Sequence, residues 1–600
     1  MCVSSLGLWA PAFALDSVVL DQRPVLGSAN GWTYTVDGAG KGWFAYYGED
    51  DNTLFVRRPD GSEAALGASD RQRYQSGVAI AATGQDLAVL WRDKLPEKTL
   101  YFLPGLGPSG STPQPRVVGG QESEPLPRIQ MGHRDGVTYL LWLGEKGNQD
   151  EQDQQGGQGG QGEEKDKIKK PIEPYHLYFR YTEDGGKNFS PVERVLPGAY
   201  PVWILDKESI PVFSWAPIDG QRMMVMRVFD RARKNFGSLV KIAEVPNIEP
   251  VLEAFESAGR WFLIWIGHYG EKNDELLLEG AVSDDKGQTW KRFAFESLRG
   301  LDFSRLDTAS DGQGHILISI SGSWRIRDDS SNAKHDVYVI RSTDNGATWS
   351  EPRQPRAADL RQFTAQYPAA VFGTKPGSAM LVWEDWRDIR PNVYVQFSND
   401  YGANWSEAAP LDRSPAVGYG LDYRNKTAWA VGDRYQVLTK RYRDFGFKHL
   451  NMVRYEFTPD ELRQQTAAGA KQPVLAEQPK ADRLRERVEK YWQAMEKQDW
   501  ATTYASSDPF YRAAVDFKAY EAARGPIKHL SHEILEVIPQ GNLAKVKIRF
   551  EAEVPETMIG VKPFSKPRQS YENTETWLFV DGEWYREYYN KAEDVRFTRY

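Results

Sequence analysis

The chain of 600 residues carries one cysteine, Cys2, so it cannot build an internal disulfide framework. No apolar run is long enough for a membrane-spanning helix. A strong charge of either sign is also missing. Lys and Arg total 75 against 83 Asp and Glu, a net charge of −8 at pH 7. That well-mixed balance excludes a nucleic-acid footprint on net charge. No motif calls for a cofactor or a metal, so neither is expected. The length exceeds what one core supports, although a repeat array grows by adding units. One long repeat domain and something smaller are therefore expected.

A short motif recurs. Ser342, Asp344, Gly346 and Trp349 share the spacing Ser/Thr-x-Asp-x-Gly-x-x-Trp/Phe with Ser283, Asp285, Gly287 and Trp290, and with Ser398, Asp400, Gly402 and Trp405. A looser copy is Thr182, Asp184, Gly186 and Phe189. In a tight turn between antiparallel strands the Asp accepts backbone N–H bonds, and the Gly tolerates positive φ. The aromatic residue closes the turn onto the strands. Each copy follows a short apolar, alternating run such as Val337 to Ile340 or Val393 to Gln396.

The motif resembles the Asp box of the sialidase and BNR-repeat β-propellers. The resemblance implies a mainly β, multi-bladed propeller with the boxes away from the ligand face, so their Asp residues are expected to be structural. From residue 31 to about 457, second and third strands pair eight times, from Trp43–Tyr47 with Leu54–Arg57 to Tyr435–Thr439 with Leu450–Tyr455. The repeat of about fifty residues suits four-stranded blades. Eight blades are preferred and seven come next, against the six that the resemblance implies for the sialidase enzymes. The last repeat lacks a fourth strand, and Ser17 to Leu20 lacks a blade, so the N-terminal run is expected to pair with the final repeat and close the ring.

The propeller is placed at residues 15 to 457. Residues 147 to 170 are Gln, Gly, Glu, Asp and Lys with almost no apolar side chain, which predicts a disordered insert. Residues 1 to 14 end in Ala12-Phe13-Ala14, like a signal-peptide remnant, yet lack a basic start; an ordinary apolar terminus is the alternative. A signal would make the protein periplasmic or secreted.

Residues 458 to 480 read as a linker of Gln, Ala, Lys and Pro. Leu484, Val488, Tyr491, Trp492 and Met495 recur at helical spacing, and the pair Asp581-Gly582 marks a hairpin between Trp577 and Tyr585. This helix-then-sheet order over residues 481 to 600 resembles the NTF2-like (SnoaL-like) α+β cone. His529 and His532 are either acid-base groups of a pocket or surface histidines.

The sialidase resemblance implies an Arg-Ile-Pro motif, three arginines, an Asp acid/base and a Tyr/Glu nucleophile pair. The nearest matches are Arg128, in Pro127-Arg128-Ile129-Gln130, and Tyr419 and Tyr423. Gln130 replaces the family's Pro, and no partner Glu can be assigned. A plainer reading makes Arg128 a blade residue and the tyrosines packing groups. A second recurrence, Trp91-Arg92, Trp386-Arg387 and Tyr442-Arg443, each followed by Asp, with Trp324-Arg325 as a partial copy, follows the second strands. These side chains are either ligand-stacking groups on the face opposite the boxes or Arg-Asp pairs that steady hairpins.

Together these features predict an extracytoplasmic propeller that binds a glycan or a protein partner, or scaffolds a surface assembly, without catalysis. A sialidase-like glycoside hydrolase is the alternative.

Overall fold

A computed structural model of the protein describes residues 15–21, 31–48, 53–68, 77–92, 99–119, 123–146, 175–270, 275–324, 334–412, 417–422, 425–469, 477–559, 562–590 and 595–598. The signal-like start, the insert at 147 to 170, Arg325 and Tyr423 lie outside these residues.

The chain is mainly β. Up to Phe457 the described residues form eight small antiparallel sheets. Seven follow one another along the chain, each a meander of the kind Trp32–Val36, Gly42–Tyr47, Thr53–Arg57 and Glu63–Ala68. The eighth combines Arg434–Tyr442 and Leu450–Phe457 with Gly418–Gly420 and Ala428–Val431, and takes its outer strand from the other end of the chain. Asp16–Val19 runs antiparallel to Leu450–Phe457, with Asp16 opposite Glu456 and Val19 opposite Val453. Asp21 reinforces the seam by accepting from the Met452 backbone N–H at 2.7 Å and from Asn451 Nδ2 at 2.6 Å.

Each sheet alternates apolar side chains to both faces, so each must be covered on both sides. The solution is circular. Trp43 and Val56 of sheet one pack with Val89 and Leu103 of sheet two. The same sharing joins two to three, three to four, four to five, five to six, six to seven and seven to eight. Leu438, Leu450 and Met452 of sheet eight then pack on Trp32, Phe44 and Tyr46 of sheet one. Every sheet thus has two neighbours and the circuit closes, with the first strands of neighbouring sheets adjoining along most of it.

The C-terminal residues begin earlier than a linker would allow. Pro459–Gly469 is a helix, with Pro at its first position. Thr458 and Glu461 form a reciprocal capping box: Glu461 N–H donates to Thr458 Oγ1 at 3.3 Å, and Thr458 N–H to Glu461 Oε2 at 2.8 Å. Leu462 is fully buried in the core shared by sheets seven and eight. The expected linker is therefore helical and docked over its first half. Helix Glu477–Glu496 follows, then three short helices and the antiparallel strands Lys528–Gln540, Leu543–Ile559, Lys562–Val580 and Glu583–Arg586. Leu484, Val488 and Trp492 lie against Val546, Ile548 and Trp577, as the helical spacing predicts.

Candidate functional site

The four boxes share one construction. In each, the Ser or Thr Oγ donates to the Asp Oδ1 and accepts from the Gly N–H, at 2.8 and 2.7 Å for Ser283 and 2.8 and 2.9 Å for Ser342. The Asp accepts twice more from the residue four positions on, as Asp285 does from the Thr289 backbone N–H and side-chain hydroxyl. Hydrogen bonds from Thr289 hold Asp285 down to about 2, and those from Asn188 do the same for Asp184. Gly346 has φ +76°, and a Cβ there would lie 2.5 Å from Phe262 of the preceding sheet. Trp349 packs on Phe293, Phe295 and Phe262, also of that sheet. Thr182 and Phe189, and Ser398 and Trp405, repeat this pattern. The Ser or Thr hydroxyl and the Asp carboxylate of each box are engaged within it. The boxes lock one sheet to the next.

Turns after third strands, which carry the boxes, share one face of the ring; loops after second strands emerge on the other. On that second face most described side chains of the aromatic-Arg recurrence are engaged within the fold. Trp91 is buried and stacked on Tyr101, and Arg92 is buried beside it. Trp386 is 2% exposed, its indole donating to Glu384 at 3.0 Å and its ring packed on Phe447 and Phe510. Arg387 pairs with Asp385 at 2.7 Å and lies over the Tyr394 ring, while Asp388 accepts from Tyr394 and Asn392. Asp385 also meets the fully buried Arg356 at 3.1 Å. Tyr442 packs on Phe447, and the Arg443 backbone N–H bonds His449. Trp91, Trp386 and Arg387 thus pack or pair within the fold. Trp324, at 46%, and Arg443 are the exposed members among the described residues.

The cover on Trp386 comes from the C-terminal residues. Phe363, Trp386, Ile389, Phe445 and Phe447 of the ring share one core with Phe510, Leu543, Leu578 and Val580, and Arg390 pairs with Asp581 at 2.7 Å.

Tyr419, named as a nucleophile candidate, is placed in the core. It is buried against Tyr455, whose hydroxyl is bonded to Asp412. Arg128 differs. It is exposed on the first strand of sheet three, and its guanidinium lies 4.5 Å from the centroid of Tyr200, on the first strand of sheet four. Tyr200 sits at a bulge with φ 57°.

Deeper along the first strands lies a charged group that no motif marked. Asp307 accepts from the Ala370 N–H at 3.1 Å and meets Arg305 at 3.7 Å. Glu253 comes from sheet five, and has no hydrogen-bond partner among the described residues. Burial and then the charge of Asp307 push Glu253 up to about 7, against the opposing pull of Arg305 and Lys426. Burial raises Asp307 as well. Sheets five, six and eight thus contribute to one cluster, which places it on the ring's inner wall. It offers one carboxyl that titrates near neutrality, a second carboxyl beside Arg305, and the two cations Arg305 and Lys426. The signal available in the sequence was a carboxylate directly after a leucine within a strand-like run, Leu252-Glu253-Ala254 and Leu306-Asp307-Thr308.

His532 has the carboxylate partners that its sequence neighbourhood did not show. Its Nδ1 lies 2.7 Å from Glu496 and its Nε2 3.3 Å from Glu489, beneath Trp492. Among the described residues no group of His, Cys, Asp and Glu is arranged to hold a metal ion, and no helix is long and apolar enough to cross a membrane.

No protein-family model matches the sequence, and no curated protein matches it. Among solved structures, a PL25 ulvan lyase is similar over 76% of this chain and 99% of its own, with 14% identity and a TM-score of 0.39. A leech intramolecular trans-sialidase covers 76% of this chain and 95% of its own, at 10% identity and a TM-score of 0.32. The NanB sialidase of Streptococcus pneumoniae covers 73% and 93%, at 10% identity and a TM-score of 0.29.

Proposed function

We propose that this protein is an extracytoplasmic eight-bladed Asp-box β-propeller that binds an acidic glycan at its axis, on the side away from the boxes, with an NTF2-like cone as its second domain. The blade count rests on the eight mutually packed sheets, and the cone on the order of helices and strands after residue 477. The observation that carries the ligand reading is the inner wall. An exposed arginine stacked on a tyrosine offers a charge-assisted fork for a carboxylate beside an aromatic face. The Glu253, Arg305, Asp307 and Lys426 cluster offers both donors and acceptors to sugar hydroxyls. Isothermal titration with uronic-acid and neutral oligosaccharides tests this. Acidic chains should bind, and Arg128→Ala should weaken them by about tenfold, some 1.4 kcal/mol. Equal affinity in the variant, or no saccharide binding at all, would sink the reading.

A second reading, glycoside cleavage, is favoured by one pairing: burial and the charge of Asp307 push Glu253 up to about 7. A raised carboxyl beside a second carboxylate is the arrangement for general-acid work. Release of reducing sugar that disappears in Glu253→Gln would establish it; unaltered chains after long incubation would leave binding alone.

A further inference from the structure

The boxes leave some joints between sheets unlocked. Each box glycine sits close against the preceding sheet: a Cβ on Gly186, Gly287 or Gly346 would lie 2.5 Å from Phe102, Met226 or Phe262, and one on Gly402 2.6 Å from Leu317. Sheets one, two, four and eight carry no box. On the box face, cavities of about 410, 380 and 550 Å³ open between sheets three and four, seven and eight, and eight and one. At each of these joints the later sheet is one without a box. The fourth such joint, between sheets one and two, is bridged by Arg58, whose guanidinium donates to the Gly107 and Gly110 carbonyls at 3.1 and 3.3 Å.

The joint between sheets three and four shows the cause. In the turn that follows Gln221–Asp230, the residue at positive φ is Lys234, at 58°, and not a glycine. A side chain cannot make the glycine's close approach, and Lys234 instead reaches across to Glu183 of sheet three at 2.7 Å. The turn stands off and leaves the groove of 410 Å³, toward the lower end of the roughly 300–1,000 Å³ usual for small-molecule sites. Its wall is apolar. Val137 and Tyr181 are half-buried there, and Tyr181 rests on Phe229 with 5.5 Å between ring centres. The rim is charged but balanced, three acids against three bases. Arg231 is engaged by Asp135 at 2.9 Å and by the Tyr139 hydroxyl at 2.8 Å, and Lys234 by Glu183. Lys207 and Glu208 are exposed, and their charged ends make no ion pair or hydrogen bond among the described residues.

We infer that this groove binds a neutral pyranose, with one apolar face of the sugar on Tyr181 and its hydroxyls between Glu208 and Lys207. A pyranose carries C–H patches beside a girdle of hydroxyls, which matches an aromatic wall beside one free acceptor and one free donor. The balanced rim gives an ionic ligand no net attraction. An aromatic guest gains most in an enclosed, dry slot, whereas this groove is open to water along Lys207, Glu208 and Ala232. The groove lies on the box face and the axial site on the opposite one, so each reading stands without the other.

The test uses the full-length protein with methyl β-glucopyranoside, methyl β-galactopyranoside and methyl α-mannopyranoside, read by saturation-transfer NMR. At least one should bind saturably, with transfer strongest at the C–H groups of one ring face. Tyr181→Leu keeps an apolar side chain against Phe229 and removes the ring. It should weaken that binding about tenfold or more and keep its near-ultraviolet circular dichroism. The double variant Lys207→Ala/Glu208→Ala changes only exposed side chains, should weaken binding about threefold or more, and serves if the Tyr181 variant does not fold. No saturable binding of any of the three pyranosides would overturn the proposal. So would tighter binding of 4-methylphenol than of any pyranoside, or pyranoside affinity unchanged in either folded variant.

Discussion

Trp386→Ala should loosen the C-terminal domain from the ring, whereas Trp324→Ala, in the related motif one sheet earlier, should do little. Trp386 is 2% exposed and packs against Phe447 of the ring and Phe510 of the C-terminal domain, at 5.7 and 6.3 Å between ring centres. Truncating a buried tryptophan costs about 3–5 kcal/mol. The lost indole leaves no orphan, because Glu384 still accepts from Gln366 at 2.8 Å and from the Leu421 N–H at 3.1 Å. Trp324 is 46% exposed, so its loss should stay within about 0.5 kcal/mol. The assay is urea unfolding followed by circular dichroism, reading the first transition, since a chain of this size unfolds in more than one step. Trp386→Ala should bring that transition down and speed proteolysis between the ring and the C-terminal domain. If the two variants differ by less than about 1 kcal/mol, Trp386 is not the anchor that its packing describes.

Glu253 has a folded-state pKa of about 7, above the unfolded value of about 4.3, so its contribution is fully retained below the unfolded pKa and is lost as pH rises past 7. Glu253→Gln should gain about 1–3 kcal/mol over the parent above neutrality and nothing near pH 4; a gain that does not depend on pH would refute the burial argument. Asp285, held down to about 2, works in reverse: its contribution is present above about pH 4 and vanishes as pH falls through 2. The melting-temperature gap between the parent and Asp285→Asn should accordingly close on acidification, and a constant gap would remove the charge from the account. Gly346→Ala should cost about 2–4 kcal/mol by calorimetry, combining positive φ with a Cβ 2.5 Å from Phe262, and a loss under about 1 kcal/mol would mean that the box turn yields easily.

The parts legible in the sequence are those whose causes are local. Alternation marked Gly42–Tyr47 and Leu450–Phe457 as strands, and the box spacing marked turns whose bonds span four residues. Ring closure followed from counting a missing strand. The Trp-Arg-Asp recurrence was visible and its role was not, because Trp386 is covered by Phe510, far along the chain, and Arg387 turns back to Asp385. The axial cluster was missed for a related reason. Glu253, Asp307 and Lys426 come from three separate sheets and meet only when the ring is closed. The helix Pro459–Gly469 was read as linker, because a composition poor in apolar residues outweighed the Thr458–Glu461 spacing of its capping box.

The seam between Asp16–Val19 and Leu450–Phe457 has a consequence for how the molecule is made. Asp21 and Met452 are 431 residues apart, so this bond belongs to the last of the ring to be synthesised. At ribosomal speeds of about 5–20 residues per second, the N-terminal strand waits tens of seconds for its partner. Throughout that wait sheet one lacks the cover of Leu438, Leu450 and Met452 on Trp32 and Phe44. A nascent ring is therefore an open horseshoe with two apolar ends, and each end is complementary to the opposite end of another copy. Slow translation or high local concentration favours joining between chains over closure within one, so the strand that seals the finished ring is also the point at which its assembly can go astray.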